Sequence, residues 1–237
     1  MLKKFKQIFI RRKWRNILFT IFGLFVLVQY LTLPNVHYLR NQNPKTTALM
    51  KLRNKQALAK KKIPKRNQIW VPYSKISPYL RDAVIIAEDA KFYRHDGIDY
   101  SALWDALIQD ITSFSFRHGG STITMQLAKN LYLSPSKTPL RKMKEFIIAK
   151  RLERELSKSR ILETYLNVIE WGDGIYGAEA ASRTYFKKSC INLTAEEAAL
   201  LAASIPNPRY INPSRNKRYL RQRTQNILYY LGNRGYR

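Results

Sequence analysis

Glu88 and Asp89 stand side by side after an apolar run, Ala83–Ala87 (AVIIA), and an Asp96-Gly97 turn follows. A carboxylate at the end of an apolar element is partly stripped of water, which raises its affinity for a proton and suits it to general-base work. On a continuous helix Glu88, Phe92 and His95 fall at i, i+4 and i+7, on one face. The plain alternative is a solvated helix end, the commoner fate of surface acids. A second group is Gly119–Asn130, GGSTITMQLAKN. After the glycine break, Ser121 or Thr122 can cap a helix whose free N–H groups face an anion. Thr122, Gln126 and Lys129 then recur at i, i+4 and i+7, either as a solvated stripe or as a hydrogen-bonding wall of a cleft. A third group is Arg141, Lys142 and Glu145, whose face continues through Ala149 to Glu153. On a surface such pairs contribute a few tenths of a kcal/mol each. In a site, two cations beside a carboxylate suit a diphosphate held next to an acid or base.

The elements that must position these residues read as helices. Ser77-Pro78 opens one expected to reach Tyr93, with Ser77 as cap and Pro78 at the first position. Others are expected over 99–114, 122–133, 140–156, 161–171 and 178–186. Thr194-Ala-Glu-Glu197 is a capping box opening 195–205, and a basic helix covers 216–232. Strand patterns are nearly absent, so the domain is expected to be mainly α.

The net charge of +27 is unevenly spread. Residues 1–81 hold 19 Lys/Arg and no acid, whereas the rest of the chain carries +8. Residues 17–33 are uncharged. A helix of that length covers roughly 26 Å, slightly short of the ~30 Å hydrocarbon core, and Trp14, Tyr30 and flanking cations suit its interfaces. No small-residue cleavage site follows, so a retained anchor is preferred to a signal peptide. The expected organisation is a basic cytoplasmic tail at 1–16, a transmembrane helix at 17–33, a basic juxtamembrane linker at 34–69 and a domain at 70–237 outside the membrane. The tail is placed inside by the positive-inside rule. The linker, which includes a short helix near 47–61, is suited to anionic headgroups.

Taken in order, Glu88–Gly97 (EDAKFYRHDG), Gly119–Asn130, Arg141–Glu153 (RKMKEFIIAKRLE), Ser157–Asn167 (SKSRILETYLN) and Leu193–Pro208 (LTAEEAALLAASIPNP) resemble the five signatures of the peptidoglycan glycosyltransferase family, glycosyltransferase family 51. The resemblance covers about residues 70–210. It implies a lysozyme-like, two-lobed helical fold preceded by one transmembrane helix, in the cytoplasmic (inner) membrane. It also implies polymerisation of lipid II into β-1,4-linked glycan, with inversion and loss of undecaprenyl diphosphate. By the same resemblance Glu88 is the base and Glu145 the second essential carboxylate. Lys129, Arg141 and Lys142 bind donor phosphate and sugar, and Asp89, Phe92, His95, Ser121, Thr122 and Gln126 shape the substrate cleft. Met125 departs from the family pattern, which has Gln there. No cofactor is required, although a divalent ion, Mg or Mn, has room at the diphosphate. The partners implied are lipid II, the growing lipid-linked chain, the membrane, and cell-division or elongation proteins.

Other readings are weaker. A nucleic-acid binder would answer the charge but not the apolar span. A lysozyme-like hydrolase also uses carboxylates in a helical cleft but needs no cation cluster. Ser134–Lys137 matches S-x-x-K of penicillin-type transpeptidases without the partner motifs. His37, His95 and His118 lack metal-ligand spacing, and Cys190 reads as a small buried apolar residue. Residues 100–116, with Trp104, Leu107, Ile111, Phe114 and Phe116, are expected either to pack in the core or to lie in the outer leaflet.

Overall fold

The computed structural model describes residues 16–233, apart from 22, 25, 114–119, 137 and 216, and gives the backbone alone at 107, 110, 111, 113 and 217. The chain divides into two units, 1–35 and 36–237. In the first, residues 16–21, 23–24 and 26–31 are helical (α1). Most of their side chains are apolar and exposed, Leu18, Phe19 and Leu31 among them. Among the described residues no helix is long and apolar enough to cross a membrane.

The second unit is mainly α. Its helices are α2 (Ala48–Ala59), α3 (Pro78–Glu88), α4 (Tyr100–Ser113), α5 (Ile123–Tyr132), α6 (Pro139–Glu155), α7 (Lys158–Val168), α8 (Ala178–Phe186), α9 (Ala195–Ser204) and α10 (Lys217–Asn233). Five begin in the same way. Thr47, Thr122, Thr138, Ser157 and Thr194 each accept the N–H three residues on, which satisfies one of the four donors a helix start leaves open. Glu197 completes the capping box at Thr194. Ser77 differs from expectation: its hydroxyl donates to the Leu193 carbonyl instead of capping α3.

The expected linker is a correction. Val36, Leu39 and Met50 are buried, and α2 packs on α5, so residues 36–69 belong to the folded unit. Their basic composition hid a few well-spaced apolar anchors. Residues 67–68 also form a strand, β1 (Asn67–Gln68), beside the hairpin of β2 (Glu170–Gly172) and β3 (Ile175–Tyr176). The sheet order is β1-β3-β2, with β1 parallel to β3 and β2 antiparallel to it. The helix expected at 161–171 therefore starts earlier, at Lys158, and gives way to strand at Glu170. Its C-cap Ile169 is already extended.

Two packing groups hold the site. α5 lies against α2, α6 and α7 with Ile123, Leu127 and Ala128 fully buried. α9 packs on α3 and on α10, whose Leu220, Ile227 and Leu231 form the buried stripe. Gly97 (φ +85) lies so close to α6 that a Cβ would stand 2.9 Å from Glu153 Cγ and 3.2 Å from the Ala149 carbonyl oxygen.

Candidate active site

α3 stops at Glu88, not at Tyr93, so Glu88, Phe92 and His95 do not share a helix face. The reason is tertiary. Asp89 leaves the helix and its carboxylate receives the Ile123 N–H at 3.0 Å, at the positive start of α5. His95 reaches the same carboxylate through Nε2 at 2.9 Å. The Gly97 N–H donates to His95 Nδ1 at 3.1 Å, which puts the ring proton on Nε2, facing Asp89. Thr122 closes the loop by donating to the Gly97 carbonyl at 2.6 Å. Phe92 is fully buried, packed edge-on to His95 and under the Lys158 ammonium. Asp89, Phe92 and Thr122 are thus buried supports that fix the Glu88 turn and the α5 start.

Glu88 itself is largely buried. Gln126 Nε2 donates to its Oε2 at 2.9 Å. The Tyr165 hydroxyl, deep in the core, donates to Gln126 Oε1 at 2.8 Å, so the amide must turn its NH₂ toward Glu88. Arg223 of α10 stands 3.3 Å from the other oxygen. Burial raises the affinity of Glu88 for its proton and is the largest influence; the Gln126 hydrogen bond, Arg223 and Lys129 oppose it.

Across the site, Glu145 is buried with an exposure of 2%. Its carboxylate pairs with Arg141 one turn back and with Lys142 Nζ at 2.7 Å. Lys142 also donates to Ser121 Oγ at 2.8 Å, and Ser121 lines a cavity of about 310 Å³ that opens at Glu88. Lys129 joins the two halves. It makes no ion pair among the described residues, yet its charge interacts with both Glu145 and Glu88. Burial is the main cause of its lowered proton affinity, and Lys142 and Arg141 add to it. The residues predicted from sequence fall into linked groups: Gln126 on Glu88, Arg141 and Lys142 on Glu145 with Lys142 reaching Ser121, and Asp89 and His95 bonded together and joined through Gly97 to Thr122, beside buried Phe92; of these Glu88, Asp89, Ser121 and Thr122 line the cavity.

Met125 is fully buried against Ile98 and Ala149, with Phe146 alongside, so the departure at that position faces the core and forfeits no hydrogen bond in the cleft. His118, Phe114, Phe116 and Lys137 lie outside the described residues. Ser134 and Ser136 bond each other at 2.9 Å in a loop. Cys190 is buried, and burial pushes its thiol up.

Sequence reasoning missed Arg223 and Tyr165. Arg223 lies 135 residues from Glu88 in a helix with many cations, and only the buried stripe of α10 hints which face turns inward. Because its charge favours ionised Glu88, Arg223→Gln should move the acid limb of kcat/KM to higher pH, and a pH–rate profile of the two proteins checks this.

A largely buried carboxylate at a cavity, with a second buried carboxylate paired to two cations nearby, is an arrangement suited to group transfer. The family model described as Transglycosylase matches residues 54–231. The chain is 44% identical over 215 residues to the biosynthetic peptidoglycan transglycosylase of Nitrosospira multiformis, covering 91% of this chain and 93% of that one. It is 42% identical to the protein of the same name from Laribacter hongkongensis (86% and 90% covered) and 46% identical to that of Aromatoleum aromaticum (82% and 84%). The chain belongs to the transglycosylase family.

Proposed function

We propose that the protein is a peptidoglycan glycosyltransferase that polymerises lipid II into β-1,4-linked glycan strands and releases undecaprenyl diphosphate. The observation that carries this reading is buried Glu145 paired with Arg141 and Lys142, with Lys142 reaching Ser121 of the cavity that Glu88 lines. Together with the relatives' names it favours transfer from a diphosphate over hydrolysis of a finished glycan.

In this mechanism the acceptor's 4-hydroxyl attacks the donor's anomeric carbon. Glu88 takes the hydroxyl proton, and the new C–O bond forms as the bond from the anomeric carbon to the diphosphate oxygen breaks. The electron pair leaves on the lipid diphosphate, and attack from the opposite face inverts the carbon. Desolvation strengthens Glu88 as a base, while Gln126 and Arg223 hold the carboxylate in place. Lys129, Arg141 and Lys142 neutralise the leaving diphosphate, and Glu145 keeps these cations converged. A protein-held metal fits the donor set poorly. The described residues bring no three of His, Cys, Asp or Glu together, and Glu145 is already committed to two cations. The phosphate charge is met by Lys129, Arg141 and Lys142.

The same reading makes the domain lysozyme-like and two-lobed, on the outer side of the cytoplasmic membrane, with residues 17–33 as anchor. The uncharged stretch and the exposed apolar side chains of α1 support the anchor. On α4, Tyr100, Trp104 and Ile108 recur at i, i+4 and i+8 and are all exposed, which favours the interfacial alternative for that helix. The test is incubation of the full-length protein with pure lipid II. Accumulating polymer is expected; shortening of preformed glycan with no polymer would replace the transferase by a hydrolase.

A further inference from the structure

A second cavity, of about 440 Å³, lies between α2 and the β2–β3 hairpin and shares no lining residue with the one at Glu88. Glu170, Tyr176 and Arg209 all contribute to its lining. Glu170 and Tyr176 are 5% and 1% exposed. Arg53 clamps one Glu170 oxygen, Oε2, through Nε at 2.9 Å and Nη2 at 2.7 Å. Asp173 holds Arg209 Nη2 at 2.6 Å. Three buried atoms then remain without a hydrogen-bond partner: Glu170 Oε1, the Tyr176 hydroxyl and Arg209 Nε. The first and last face each other at 4.0 Å, too far to bond. Folded proteins satisfy nine-tenths or more of their buried polar groups, so three orphans on residues that line one cavity call for a cause.

The rim supplies a charge. Lys60, Lys62 and Lys65 are exposed and make no ion pair among the described residues. With Arg53 and Arg209 they outweigh Glu170 and Asp173, leaving the lining at a formal +3. Gly174 (φ +74) lets the hairpin approach Lys65, where a Cβ would stand 2.5 Å from the lysine Cβ, so the mouth is built by close backbone contact. A bare anion would satisfy Arg209 and Tyr176 but would meet the open Glu170 oxygen as a like charge. A ligand with an anionic end and a hydroxyl donor meets all three.

We propose that this cavity binds a phosphate ester carrying a free hydroxyl, its phosphate oxygens accepting from Arg209 Nε, the Tyr176 hydroxyl and the rim lysines, and its hydroxyl donating to Glu170 Oε1. Two sources share that chemistry: a soluble glycerol phosphate, or the glycerophosphate headgroup of an anionic phospholipid. Ile63, 89% exposed between two of the rim lysines, offers an apolar contact that only the lipid would use. The inference is independent of the cleft and of the reaction assigned to it.

The test is calorimetric titration of the full-length, detergent-solubilised protein with glycerol 1-phosphate, monomeric dihexanoyl phosphatidylglycerol and, as control, dihexanoyl phosphatidylcholine. Tyr176→Phe is the sharpest variant. It removes a hydroxyl that has no partner, so the unliganded melting temperature should hold, while affinity falls about tenfold through loss of a bond to a charged group. Lys60→Gln with Lys62→Gln should weaken binding and flatten its salt dependence. Binding of glycerol phosphate with these losses supports the proposal with a soluble source. Binding of phosphatidylglycerol alone with the same losses supports it with a lipid source. Binding that Tyr176→Phe leaves unchanged, equal binding of phosphatidylcholine, or no heat with any probe overturns it in favour of ordered water.

Discussion

Glu88→Gln should abolish polymerisation while making the protein more stable at neutral pH. Loss of a general base lowers turnover by about 10²–10⁴-fold, and Gln keeps the side chain's size and its acceptor for Gln126. The stability change follows from linkage. Burial raises the proton affinity of Glu88 in the folded state above its ordinary value of 4.5. Below that pH both states carry the proton and the residue costs the fold nothing. As pH rises through the elevated folded value, the folded state must hold a poorly solvated charge, and stability falls. Gln never ionises, so the variant's melting temperature should exceed the parent's at pH 7–8 and match it near pH 4. Melting curves at the two pH values, with a lipid II assay, check both halves. Turnover within tenfold of the parent would remove Glu88 from the chemistry.

Glu145→Gln should have the larger structural cost. The carboxylate is almost wholly buried and faces Arg141 and Lys142, with the charge of Lys129 also acting on it. Without it Arg141 and Lys142 lose their counter-charge, and Arg141 Nε already lacks a partner. Removing one member of a buried ion pair costs about 3–5 kcal/mol. The partial exposure of Arg141 and Lys142, 16% and 30%, argues for the lower end. For a domain of this size about 3 kcal/mol is a fall of roughly 6–12 °C in Tm. Adding Lys142→Gln removes part of the excess charge and should recover part of the stability without activity. Full recovery of turnover in that double variant would leave Glu145 a purely structural residue.

Local chemistry made much of this readable. Helix starts follow from a Ser or Thr whose oxygen meets the N–H three residues on, and the apolar positions of α5 and α9 face inward as their spacing predicts. Groups whose types suit a cleft do meet in space: Gln126 bonds Glu88, and Arg141 and Lys142 bond Glu145. The end of α3 was not readable, because it is decided by Asp89 meeting Ile123 of another helix, 34 residues on. Nor was the packing of 36–69, where ten cations surround the few buried anchors Leu39 and Met50. Arg223 has no local signature at all; only the packing of α10 on α3 and α9 brings it to Glu88.

That last contact has a consequence for biogenesis. Glu88 receives its guanidinium neighbour from α10, 135 residues further along, so a chain emerging in order from N to C terminus lacks that contact until α10 has been made. A chain cut short before Lys217 would keep every signature motif and leave the Glu88 carboxylate without its Arg223 neighbour.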